Sequence, residues 1–112
     1  MKKDAQVYLA HIRDSIALIR EFTEEGESFF LLDRKTQDAV IRNLEIIGEA
    51  VKNLPADLTG RHTSIPWKDI AGMRDRLIHH YFGVNLIMVW GVVETRLGDL
   101  EAVILKEFDL LL

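Results

Sequence analysis

The 112-residue chain contains no cysteine and only two prolines. Without cysteine it has no disulfide framework, no thiolate nucleophile and no cysteine-based metal site. Long apolar runs are also missing. The N-terminal stretch MKKDAQVYLAHIRDSIALIREF carries charges throughout, and no other window approaches the length needed to span a membrane. We therefore expect a cytoplasmic protein without a membrane segment.

The sequence also lacks an excess of positive charge. Its formal net charge is −4 and its pI is about 5.5. Affinity for nucleic acid of any sequence comes from many Lys and Arg side chains that neutralise phosphates, so this balance argues against broad coating of nucleic acid. A local basic cleft is still compatible with the composition.

The residues that are present are those of an ordinary globular domain. Hydrophobic residues make up 48% of the chain and charged residues 29%, which argues against disorder. At this length one hydrophobic core can form and a second cannot. We therefore expect one domain over residues 1–112.

Apolar residues recur mainly at the helical spacings of three and four. These stripes predict four main helices, running from Asp4 to about Glu25, from about Lys35 to Leu54, from Pro66 to about Phe82, and from Asn85 past Ile104. The segment ESFFLLDRKT is predicted as a short helical turn or loop, and PADLTGRHTSIP as a connecting loop. Short connections favour antiparallel neighbours, so we expect an all-α, up-and-down helical bundle.

Several residues are suited to helix ends. Gly26 is predicted to end the first helix, and Asp33 or Thr36 to cap the second. Pro66 suits the first position of the third helix, where its missing N–H costs nothing. Asn85 is a candidate N-cap for the last helix.

The third helix carries the stretch GMRDRLIHHYFGV, which is unusually rich in chemically active side chains. Asp75 and His79 are four residues apart, so the carboxylate can orient the imidazole. Arg74 lies about 140° around the helix from His79, at roughly 100° per residue. Only the length of the Arg74 side chain, or a site shared with a second protomer, could bring Arg74 and a histidine to one ligand.

Two interpretations of this stretch compete. The charged residues can form a solvated helix face, with Tyr81 as a core aromatic whose hydroxyl reaches water. Alternatively, histidine supplies an acid or base near neutral pH and arginine grips a phosphate through its planar guanidinium. Such a set suits RNA cleavage through the ribose 2′-OH without a metal.

At these residues the chain resembles a known family. Arg74, His79 and Tyr81 match the R-X4-H-X-Y signature of the HepT-like ribonucleases of the HEPN superfamily. The segments TQDAVIRNLEIIGEA (36–50), IPWKDIAGMRDRLIHHYFGV (65–84) and VW (89–90) also resemble family segments, in the same order. The resemblance spans nearly the whole chain and favours the functional interpretation.

The resemblance implies an all-helical homodimer whose two motifs face a shared cleft. It implies a metal-independent endoribonuclease toxin of a type VII-like toxin–antitoxin module, which needs no cofactor and leaves a 2′,3′-cyclic phosphate on tRNA or mRNA. By the same resemblance Arg74 and His79 are the catalytic pair and Asp75 is the supporting polar residue after the arginine. Tyr81 is the tyrosine that an MntA-type nucleotidyltransferase antitoxin adenylylates, and His80 adds a supporting imidazole of open role.

Two other functions are left open by the sequence. The same dimer could be a non-catalytic binding subunit that presents Tyr81 and its cleft to a nucleotidyltransferase. It could also be a helical dimer without any catalytic role, although the density of motif matches argues against this.

Residues outside the motif carry weaker predictions. His11 and His62 are isolated and are expected to be surface residues without a ligand. Trp67 and Trp90 lie on apolar stripes and are expected in the core or an interface. The segment NLEIIGEA is predicted as packing or dimer surface, where Gly48 permits close helix approach. The tail EFDLLL would dock on a partner or fray.

Overall fold

The computed structural model describes the backbone of residues 2–79 and 85–111 and the side chains of residues 5–78 and 85–110. This part of the chain is all-helical, which confirms the predicted fold class. In chain order the helices are α1 (Lys2–Phe22), α2 (Gly26–Leu32), α3 (Arg34–Lys52), α4 (Ala56–Gly60), α5 (Trp67–His79), α6 (Leu86–Thr95) and α7 (Leu97–Leu111). Over the same residues, no helix combines the length and the apolar character that a membrane crossing requires.

The α3 helix occupies the centre of the bundle, with α1 and α5 packed against it and α7 packed on α1. All five positions of its predicted apolar stripe are buried: Val40, Leu44, Ile47, Val51 and Leu54. The sequence predicts that the buried stripe of α1 consists of Tyr8, Ile12, Ile16, Ile19 and Phe22, and this prediction is wrong at both ends. Leu9 rather than Tyr8 is fully buried, and Phe22 remains 38% exposed.

Two side-chain caps begin helices as predicted. The Asp33 carboxylate accepts hydrogen bonds from the Thr36 backbone N–H at 3.0 Å and from the Thr36 hydroxyl at 2.6 Å. Asn85 Oδ1 accepts from the backbone N–H groups of Ile87 and Met88, at 3.0 and 3.2 Å. These bonds satisfy N–H groups that have no partner within the first helical turn.

Three boundaries differ from the prediction. The first helix ends at Phe22, and Gly26, with φ of 90°, opens α2 instead of closing α1. Helix α5 begins at Trp67, so Pro66 precedes it by one residue and accepts a hydrogen bond from Ile70 N–H at 3.1 Å. The predicted connecting loop contains the short helix α4.

The predicted single last helix is divided into α6 and α7 at Arg96. The Thr95 hydroxyl donates a 2.6 Å hydrogen bond to the Gly91 carbonyl four residues earlier. A threonine bonded back in this way bends a helix, because its hydroxyl competes for a carbonyl of the helical ladder. Gly98, in the first turn of α7, adds no side chain that would favour continuous helix.

Candidate active site

Helix α5, which carries the predicted motif, is held at its beginning by the loop that precedes it. Trp67 Nε1–H donates to the His62 carbonyl at 2.9 Å, and the Trp67 ring packs against the core. Ile65 and Ile70 are buried on either side of this first turn. The apolar anchors therefore set where α5 starts and which of its faces turns toward α3.

The closest approach of α3 and α5 occurs at Gly48. A Cβ atom at this position would lie 3.0 Å from the Ile70 carbonyl oxygen, 3.1 Å from Arg74 Cβ and 3.2 Å from Arg74 N. These distances leave no room for a side chain, which confirms the prediction that the small size of Gly48 allows close helix approach. The contact places the backbone of Arg74 directly against α3.

The guanidinium of Arg74 lies between two carboxylates. Its Nε is 3.2 Å from Glu49 Oε2 on α3, and its Nη1 is 3.1 Å from Asp75 Oδ1 on α5. The Arg74 side chain is 39% exposed, so solvent or a ligand can reach it. An exposed guanidinium of this kind can exchange a carboxylate for a phosphate, since both present oxygen pairs to its planar donors.

Asp75 was expected to orient His79, and within the described residues it contacts Arg74 instead. The backbone of His79 ends α5, but its side chain lies outside the described residues, as do His80 and Tyr81. The relation of Arg74 and Asp75 to these three side chains therefore stays a prediction. No signal in the sequence distinguished Glu49, which the packing of α3 on α5 brings to Arg74.

The opposite flank of α5 borders a pit, defined here as the base pit, with a volume of about 160 Å³. Helices α3, α5, α6 and α7 all contribute to it. Its lining consists of Leu44, Ile47, Pro66, Asp69, Ile70, Met73, Arg76, Val92, Arg96, Leu97 and Leu100. Most of this wall is apolar, and the two arginines are exposed.

A second charged cluster lies between the loop before α5 and helix α7. The Glu107 carboxylate is 3% exposed and lies 2.7 Å from Arg61 Nη2 and 2.6 Å from His62 Nε2. The hydrogen bond from Arg61 lowers the pKa of Glu107, and burial opposes this shift only in part. The same pairing raises the pKa of Arg61.

The prediction that His62 is an isolated surface residue is therefore wrong. Its side chain is 12% exposed and bonded to Glu107, which lies 45 residues away in sequence. A separation of this length gives no periodic or local signal, because only the docking of α7 brings the two side chains together.

The predictions for His11 as a surface residue and for Trp90 as a core residue agree with the structure. His11 is exposed, its ring 6.2 Å from that of Tyr8. Trp90 packs against the core, with its ring 5.4 Å from that of Phe30. Across the described side chains, no group of three His, Asp or Glu residues is arranged so that it could hold a metal ion.

The family model described as "Ribonuclease HepT-like" matches residues 12–107. The chain is 50% identical over 102 residues to the "Probable ribonuclease HepT" of Thermococcus cleftensis, covering 90% of this chain and 93% of that protein. It is 44% identical over 112 residues to a "Putative RNase" of Methanocaldococcus jannaschii, covering 96% and 93%.

A further Methanocaldococcus jannaschii protein, named "Gamma-glutamylcyclotransferase and putative RNase", is 50% identical over 107 residues. These residues are 95% of this chain but only 48% of that protein, so the chain spans about half of its length. The comparison with solved structures gave no match. Because the family model and the first two relatives cover most of its length, the chain belongs to the HepT-like ribonuclease family.

Proposed function

We propose that this protein is a metal-independent endoribonuclease and the toxin of a type VII-like toxin–antitoxin module. Membership of the HepT-like family supports a ribonuclease function. The observation that carries the proposal is Arg74, a partly exposed guanidinium held by carboxylates 3.2 and 3.1 Å away on the helix that ends at His79. A phosphate can displace either carboxylate, because it offers the guanidinium the same kind of oxygen acceptors.

In the proposed reaction Arg74 binds the scissile phosphate of RNA. The 2′-oxygen attacks phosphorus and loses its proton, the bond from phosphorus to the 5′-oxygen breaks, and the leaving oxygen is protonated. The products are a 2′,3′-cyclic phosphate and a 5′-hydroxyl. His79 accepts or supplies one of these protons, and Arg74 stabilises the charge that builds on the phosphorane oxygens.

The two proton transfers require two groups, and a single His79 cannot act as base and acid in the same step. We propose that a second copy of the chain supplies the other imidazole in a shared cleft. Exposed apolar side chains on the mutually packed helices α2 and α6 support self-association. Leu32 is 87% exposed, Ile87 68% and Met88 69%. Sedimentation at micromolar concentration should show a dimer. A monomer under these conditions would contradict the proposed shared cleft.

We also propose that an MntA-type nucleotidyltransferase adenylylates Tyr81 and so neutralises the toxin. Tyr81 follows His79 by two residues in sequence. A nucleotide attached there would add negative charge and bulk near the phosphate site, and both would oppose the entry of RNA. His80 is proposed as a supporting residue on the same segment.

A second candidate function is a non-catalytic binding subunit of a nucleotidyltransferase complex. It is favoured by the pair of carboxylates at Arg74, which neutralises the guanidinium in the absence of a ligand. The overall charge of −4 also suits a protein partner better than a long polyanion. Under this function Tyr81 would still be modified, but RNA would not be cut.

Cleavage of RNA by purified protein in the presence of a chelator tests the main proposal. Replacement of either Arg74 or His79 by alanine should lower the rate by about 10²–10⁴-fold, the usual contribution of acid–base catalysis. Arg42→Ala is a matched control, since the Arg42 side chain is 72% exposed and pairs with Glu45 on α3. A requirement for a divalent metal, or full activity in both variants, would reject the assignment.

A further inference from the structure

The base pit lies where the last two helices, α6 and α7, face α3 and α5. Val92 near the end of α6 and Leu97 and Leu100 at the start of α7 form one wall, and Leu44 and Ile47 of α3 lie opposite. The hydrogen bond from the Thr95 hydroxyl to the Gly91 carbonyl accompanies the division between these two helices.

Charged groups surround this apolar interior. Arg76 and Arg96 are both exposed, and Arg76 Nη2 donates to the Asp69 carbonyl at 3.0 Å, which holds its guanidinium at the pit. Asp69 is also a lining residue of the pit, and it is exposed. Apolar walls with a few convergent polar groups are the usual composition of a small-molecule site. Two guanidiniums beside such walls suit a ligand that joins a flat apolar body to an anionic group, as a nucleotide does.

The size of the pit limits the body of that ligand. Its volume is about 160 Å³, close to that of an apolar protein cavity of about 150 Å³ that binds benzene. One six-membered ring therefore fits, and a fused purine would extend beyond the walls. The pit is thus matched to a pyrimidine base.

The position of the pit on α5 relates it to the proposed catalytic residues. Arg76 precedes His79 by three residues, a rise of about 4.5 Å with a turn of about 60° between their directions. Arg74 points about 160° away from Arg76 on the same scale. The pit therefore lies on the flank of α5 nearer to the position of His79, where a neighbouring nucleotide of a cleaved strand would pass.

We propose that the base pit binds a pyrimidine base of single-stranded RNA, with the adjoining phosphates at Arg76 and Arg96. Asp69 accepts a hydrogen bond from the exocyclic amino group of cytosine, as carboxylates do in base recognition. The proposal rests on the proposed function in taking RNA as the ligand, and it adds a preference for pyrimidine, cytosine above uracil, next to the cleavage site.

Equilibrium binding of RNA that cannot be cut tests this proposal. Oligoadenylate fully methylated at its 2′-oxygens is compared with the same strand carrying one cytosine or one uracil, so that no cleavage occurs. The wild-type protein should bind both pyrimidine strands more tightly. Val92→Phe, which enlarges a side chain in the wall of the pit, should lower their affinity about tenfold, within the range found when one base loses its stacking contacts, and should leave oligoadenylate binding unchanged.

Three further variants complete the test. Arg96→Gln alters an exposed side chain and should weaken binding of all strands, which keeps the proposal testable if Val92→Phe does not fold. Asp69→Asn should remove the advantage of cytosine over uracil. Arg34→Gln is the matched control, because Arg34 is 77% exposed and pairs with Asp38 at the beginning of α3; its affinities should equal those of the wild type.

The possible results separate this proposal from the function it rests on. Equal affinity for all three strands, or a pyrimidine preference that survives in folded Val92→Phe, overturns the base pit even if the protein cuts RNA. A pit-dependent preference in a protein that never cuts RNA supports the pit and rejects the nuclease. If Val92→Phe abolishes self-association and leaves RNA binding unchanged, the pit holds a second copy and the proposal is wrong.

Discussion

Arg74 Nε lies 3.2 Å from Oε2 of Glu49, a residue that precedes it by 25 positions on a different helix. Together with Asp75 Oδ1 at 3.1 Å, this contact surrounds one guanidinium with two carboxylates. Their joint effect is twofold. They hold the Arg74 side chain in one direction, and they place negative charge where an RNA phosphate would bind.

We therefore expect replacement of Glu49 to lower both kinetic constants, each for a different reason. In Glu49→Ala the guanidinium loses a positioning contact, so kcat for RNA cleavage should fall by about 10–100-fold. KM for RNA should also fall, because a negative charge leaves the phosphate site. Initial rates over a range of RNA concentrations measure both constants.

Glu49→Gln distinguishes positioning from general loss of stability. The amide oxygen can still accept from Arg74 Nε, so kcat should stay near that of the wild type while KM falls with the lost charge. Equal kcat values in wild type and Glu49→Ala would show that Glu49 does not position Arg74. A rise in KM in both variants would contradict the expectation that the negative charge of Glu49 opposes RNA binding.

Gly48→Ala should destabilise the protein by about 1–3 kcal/mol, the usual cost of forcing extra volume into a packed contact. The added methyl group would meet backbone and Cβ atoms of α5 at 3.0–3.2 Å. Urea denaturation followed by circular dichroism measures the change. Gly91→Ala is the matched control, since a Cβ there has no neighbour within 4 Å, and it should stabilise α6 by about 0.5–1 kcal/mol. If Gly48→Ala leaves the free energy of unfolding unchanged, α3 and α5 can move apart without loss of stability.

Acid should weaken the fold through Glu107. The pairing with Arg61 and His62 lowers the pKa of Glu107 below its ordinary value of 4.5. The carboxylate therefore contributes stability that is fully present above about pH 4.5 and is lost as the pH falls toward the lowered pKa. Urea midpoints between pH 3 and pH 7 measure this loss.

Glu107→Gln should lower the midpoint at neutral pH and flatten its fall in acid, because the titrating group is gone. The control is Glu94→Gln, which alters an exposed glutamate on α6 and should keep the wild-type profile. An unchanged acid profile in Glu107→Gln would assign the acid sensitivity to other carboxylates.

Tyr81→Phe should retain at least part of the proposed nuclease activity and escape neutralisation by the proposed nucleotidyltransferase partner. The phenol oxygen is the proposed attachment point, and a nucleotide there repels RNA phosphates. Co-expression with that enzyme, followed by intact-mass measurement, should show added AMP groups on the wild type alone. The chain has one other tyrosine, Tyr8, so equal modification of Tyr81→Phe would place the modified residue there.

Local sequence patterns predicted much of the fold. The α3 stripe and the Asp33 and Asn85 caps depend on residue spacing within one segment, and the structure confirms them. The structure also confirms Gly48 as a point of close helix approach, although the atoms that it meets, in Ile70 and Arg74, belong to another helix. The division of the last helix at Arg96 was not predicted. Its signals, Thr95 and two nearby glycines, are weak compared with an apolar stripe that continues across the division.

The sequence alone determined that the chain is helical, which faces of its helices are buried, and which motif residues are candidates for chemistry, because these follow from periodicity and residue type along one segment. Only the tertiary structure decided that Glu49 meets Arg74, that Glu107 binds Arg61 and His62, and that four helices leave the base pit between them. Each of these relations joins residues from separate helices or loops, and the packing of those elements sets distances that no local pattern records.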